Sequence, residues 1–102
     1  MTWYAYIAGF FAGVFLTNFV PHFVHGISGD PFPTPFAHPP GKGLSSPTVN
    51  VVWALVNLIV GSVLCHAGKV CGGGLAAMLV FFAGIALISI PMSVQFAKKQ
   101  AR

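Results

Sequence analysis

The sequence predicts an all-α integral membrane protein of three transmembrane helices, with a long Pro-rich connection between the first and the second. The first observation behind this is composition: 56% of the 102 residues are apolar and only 6% are charged, whereas soluble domains carry about a quarter charged residues. A chain this short could not coat so much apolar surface with the polar residues it has. The second is the placement of the charges. Asp30, Lys42, Lys69, Lys98, Lys99 and Arg102 leave uncharged stretches at Met1–Gly29, Gly43–Gly68 and Val70–Ala97. Each is long enough for the roughly 20 apolar residues that cross about 30 Å of hydrocarbon. A charge at the centre of a span costs about 2.5–3.5 kcal/mol on insertion scales, so the charged positions mark boundaries. The chain reads as one membrane domain over residues 1–102.

Helix 1 is expected over residues 3–24. It resembles a secretory leader only in being apolar and first. No Lys or Arg precedes it, its apolar run is too long, and small-residue cleavage signals are absent around Thr17–Val24, so it reads as mature structure. Pro21 lacks an N–H and crowds the preceding turn, and is expected to kink the helix or end it near Val20. His22 and His25 then fall at the membrane boundary.

Residues 27–46 hold five of the eight prolines. Repeated proline forbids a continuing helix and implies an extended or turn-rich connection, of a length that is unusual between packed helices and often functional. Phe32 and Phe36 alternate with Pro31, Pro33 and Pro35. The pattern suggests a stiff segment folded back along the bilayer surface, since irregular backbone at membrane depth needs shielding by protein or water.

Helix 2 is expected over residues 47–67, because Ser45 or Ser46 can cap its free N–H groups and Pro47 supplies the preset φ of a first helical position. Gly68 and the run Gly72, Gly73, Gly74 allow the chain to reverse. Helix 3 follows over residues 75–97, bent at Pro91 and terminated by Lys98, Lys99 and Arg102.

The basic residues set the expected orientation. With the C-terminus cytoplasmic, Lys42, Lys98, Lys99 and Arg102 lie inside and only Lys69 outside, so the N-terminus faces out. Trp3, Tyr4 and Tyr6 then form an outer aromatic belt. The membrane is expected to be a bacterial-type inner membrane or its equivalent. The formal net charge of +4 is spread over too few cations for a nucleic-acid surface.

Small residues recur at four-residue spacing along helix 1 as Ala5, Gly9, Gly13 and Thr17, with Gly9 and Gly13 forming GxxxG. Such stripes let helix backbones approach closely in lipid, where dispersion replaces the hydrophobic drive. On helix 2, Asn50, Trp53, Asn57 and Gly61 share a stripe. Asn18 and Asn50 both lie toward the inner side, so a contact between them fits. These residues are the expected helix-packing positions, and an interhelical polar contact adds about 0.6 kcal/mol. Three short spans bury little within one chain, which makes self-association or docking with other membrane-protein subunits the expected mode of action, alongside contact with membrane lipids.

The chemistry-bearing residues are few. His22, His25, His38 and Asp30 are the candidates for holding a metal or a tetrapyrrole, since neutral imidazoles with a carboxylate suit copper, zinc or iron. Their spacing matches no specific metal signature. Cys65 and Cys71 bracket a turn expected outside, where a disulfide is permitted. The chain has no Glu, and its single Asp lies in the connection, so an intramembrane carboxylate for proton-coupled transport is missing. No nucleophile elbow, phosphate loop or dinucleotide motif is present. No catalytic residue is assigned, and the isolated chain is not expected to be an enzyme. The reading that follows is a small accessory or self-assembling membrane subunit. Its alternatives are a metal-, haem- or pigment-binding subunit using the loop-side histidines, and an oligomeric pore. For the last, three spans, this orientation and a basic tail look like the architecture of some phage holins, from which the long His-bearing connection departs.

Overall fold

The computed structural model describes residues 2–100, and side chains as far as Lys98. Arg102 and the Lys99 side chain, both counted in the basic tail, lie outside the described residues. The elements are α1 (Trp3–Ile27), α2 (Pro47–Ala67) and α3 (Gly74–Gln100). At 1.5 Å per residue they are about 37, 31 and 40 Å long, enough to cross the bilayer core. All three are long and apolar enough to be membrane spans.

Two boundaries differ from expectation. Helix α1 runs through Pro21 to Ile27, and α3, with Pro91 inside it as expected, extends to Gln100. Pro21 removes only the donor that would reach the Thr17 carbonyl, whereas ending the helix there would free several backbone groups in hydrocarbon. The start of α2 is as the residues imply. Ser46 is the N-cap, its hydroxyl accepting from the Val49 N–H at 3.2 Å, and Pro47 opens the first turn. After α2 the turn at residues 68–73 is tied by the Val70 and Gly73 N–H groups to the carbonyls of Cys65 and Lys69. Gly74 opens α3 with φ of +83°, a backbone that glycine adopts freely.

Helix α1 is the middle of the molecule. Both α2 and α3 pack on it, and no Cα of α2 comes within 8 Å of one in α3 among the described residues. Glycine makes both approaches possible. On the α2 side Gly26 lies against Pro47 and Val51, and Gly61 against Leu16. On the α3 side Gly13 faces the Phe81–Ile85 backbone, and Gly84 faces the Phe10 carbonyl. Gly9 sits beside Gly68 and Val70 in the α2–α3 turn. The small-residue stripe of α1 is thus consumed within the chain, and its four-residue period serves two neighbours rather than one seam.

A polar cleft beneath the Pro-rich connection

Because α2 and α3 both pack on α1 but not closely on each other, a cleft lies between them over α1, and at one end the connection fills it. Proline has removed donors from this segment, so its remaining backbone groups pair locally. Phe32 and Ser45 exchange both N–H···O bonds at 3.2 and 3.0 Å, closing the loop at its base. Inside it, the Thr34 carbonyl accepts from the Gly41 N–H at 2.8 Å, and the Thr34 and Ser45 hydroxyls are 2.6 Å apart. The connection thus folds back onto the helices, and its destination is the cleft.

Phe32 is the anchor. It is 3% exposed, stacks on the His25 ring at 4.3 Å, and meets His22 and Phe96 edge-on or tilted at 5.4 and 4.7 Å. One side chain thereby joins the connection to α1 and α3. Phe36 reaches α2 instead, edge-on to Trp53 at 5.1 Å. The alternation of Phe with Pro signals a stiff segment in the sequence but none of these partners.

Asn50 makes the corresponding polar joint. It is fully buried, and its amide nitrogen donates to the carbonyls of Phe32, Ser45 and Ser46 at 3.0, 3.2 and 3.0 Å. Its amide oxygen is consequently the acceptor for His22 Nδ1 at 2.7 Å. That fixes the imidazole tautomer: Nδ1 carries the proton and Nε2 the lone pair. Asn18 pairs with a different amide from the one expected, donating to Asn57 Oδ1 at 3.1 Å. Asn57 returns its own N–H to the Trp53 carbonyl one turn back. The two amides of α2, about two helical turns apart, thus contact residues of α1 about one turn apart, His22 and Asn18.

Beneath the connection lies a cavity of about 170 Å³ lined by residues of all four segments, among them Asn18, His22, Thr34, Trp53, Met92 and Gln95. The buried Trp53 indole N–H has no hydrogen-bond partner among the described residues. An unpaired donor costs about 1–3 kcal/mol when buried, so it marks a place for an acceptor. Trp53 and His22 both line this cavity.

The other candidate residues stand apart. His25 Nδ1 is 3.9 Å from the Asp30 carboxylate, while His38 is exposed at the loop tip, carried away from His22 by the closure at Phe32 and Ser45. Among the described residues no three His, Cys, Asp or Glu side chains converge, so the expected ligand set of His22, His25, His38 and Asp30 is not assembled. Cys65 and Cys71 line one cleft with His66 and Lys69, yet they are free thiols. Cys65 is held in the last turn of α2 while Cys71 is turned outward, so the expected disulfide is not formed.

Fold and cleft together define a small polytopic integral membrane protein, three helices with a proline-rich cap closing one end of the groove between them. No protein-family model, curated protein or solved structure matches this chain.

Proposed function

We propose that the chain acts by helix-mediated assembly, as a homo-oligomer or as a small accessory subunit of a larger membrane complex, and that it is not an enzyme on its own. The observation that carries this reading is that α2 and α3 both pack on α1 while no Cα of one lies within 8 Å of the other among the described residues. Only 11% of the most apolar window of α3 is buried within the chain, and Leu75, Leu79, Phe82, Leu87 and Ile90 are all exposed along it. Because the GxxxG residues are already occupied, assembly uses the outer faces of α2 and α3. The cap gives the assembly one distinctive end, and the bias of Lys42 and Lys98 against Lys69 supports a cytoplasmic side for it.

Extraction from the native membrane in polymer-bounded lipid particles, followed by mass measurement, tests this. The expected particle contains several copies or a stoichiometric larger subunit; particles holding one 10.7 kDa chain and lipid alone contradict it. A second reading, a cofactor-binding subunit, is favoured by the unpaired Trp53 N–H beside His22. At about 30 Å³ per water the cavity holds roughly five waters or a hydrated ion, but no tetrapyrrole ring. Metal analysis and a visible spectrum of the same particles separate the two readings.

A further inference from the structure

Next to the polar cavity, and sharing Pro33, Gly41, Gln95 and Phe96 with it, is a second pocket of about 560 Å³ that also takes in Lys42, Pro91, Val94 and Lys98. From this pocket we infer that the capped end of the protein binds the headgroup of an anionic phospholipid. The inference needs only the membrane location and goes beyond the assembly reading.

Volume, charge and depth agree. The pocket falls within the ~300–1,000 Å³ range of ligand clefts. Two lysines line it, Lys42 from the connection and Lys98 from the end of α3. Gln95 ties the two walls together by donating to the Gly41 carbonyl at 3.2 Å. Helix α3 is about 40 Å long against about 30 Å of hydrocarbon, so its last turns stand at headgroup level, where lysine extends its ammonium to phosphate. Apolar walls of Pro33, Pro91, Val94 and Phe96 suit a glycerol backbone better than a fully hydrated ion. An apolar groove of about 520 Å³ between α1 and α3, lined by Val20, Pro21, Ile85 and Met92, also reaches Phe96. A headgroup at the lysines therefore has an acyl-chain path beside it. Basic pockets among membrane helices recognise anionic headgroups in this way.

The test is native mass spectrometry of the full chain titrated with phosphatidylglycerol or with phosphatidylcholine of the same acyl chains. Phosphatidylglycerol is expected to bind more tightly. Each cation near an anionic lipid contributes a factor of about five, so Lys42→Gln with Lys98→Gln is expected to weaken phosphatidylglycerol about twenty-five-fold and leave phosphatidylcholine unchanged. The conservative Lys98→Arg retains binding, as does Lys69→Gln at the opposite end. Unchanged phosphatidylcholine adducts and helical circular dichroism show that the variants are folded. Equal affinity for both lipids, an equal loss in Lys69→Gln, or displacement of the lipid by inorganic phosphate would each overturn the assignment.

Discussion

Gly13→Ala and Gly84→Ala are each expected to destabilise the docking of α3 on α1 by about 2 kcal/mol, while Gly9→Ala leaves it within about 0.5 kcal/mol of the parent or slightly stabilised. The three substitutions are chemically identical and two fall within one GxxxG motif. What separates them is the atom that the new methyl meets. On Gly13 it would overlap the Phe81 carbonyl oxygen and lie 3.0 Å from the Ile85 nitrogen, and on Gly84 it would overlap the Phe10 carbonyl. These are backbone atoms, so no rotamer change relieves the clash and the helices must separate. Separation forfeits dispersion along the seam, and α3 has no close backbone approach to α2 to hold it in place. On Gly9 the nearest atom is a Val70 methyl at 3.7 Å, an ordinary contact. Equilibrium unfolding in mixed micelles of dodecyl sulfate and a mild detergent reads the difference.

Asn50→Leu is expected to release the Pro-rich connection at a cost of about 2–3 kcal/mol. The substitution keeps the volume and removes four hydrogen-bonded contacts. The three carbonyls retain one backbone partner each, so the main penalty comes from the His22 N–H, which is left unpaired in a residue only 3% exposed. Hydrogen exchange at the Phe32 and Ser45 amides is expected to accelerate by one to two orders of magnitude, about tenfold per 1.4 kcal/mol. Asn57→Leu is the matched comparison. It loses the Asn18 contact and a bond within its own helix, an interhelical term of about 0.6 kcal/mol, and leaves exchange in the connection unchanged. If both variants behave alike, Asn50 does not pin the connection.

The spans were legible because the charges delimit them, and the start of α2 because Ser46 and Pro47 have a local structural preference that the fold obeys. The continuation of α1 beyond Pro21 was not, since propensity measured in water overstates what one proline does where no solvent can take over the freed groups. The Gly9–Gly13 motif announced close packing without naming the partner. Each position is read by a different neighbour, and a single helix's periodicity does not contain that. His22 was singled out by its type, but its role depends on Asn50, 28 residues further along. The seats of Phe32 on Phe96 and of Trp53 over the cavity follow from the tertiary path of the connection, for which proline spacing gives stiffness but no direction.

The glycines of α1 are occupied within the chain, which leaves the outer faces of α2 and α3 for other proteins. A photoreactive residue in place of Phe82, which is 65% exposed on α3, tests this in the native membrane. The expected result is a cross-linked protein band of one defined mass, either a multiple of 10.7 kDa or that of a single larger subunit. Adducts with lipid alone, from a chain that remains monomeric, would contradict it.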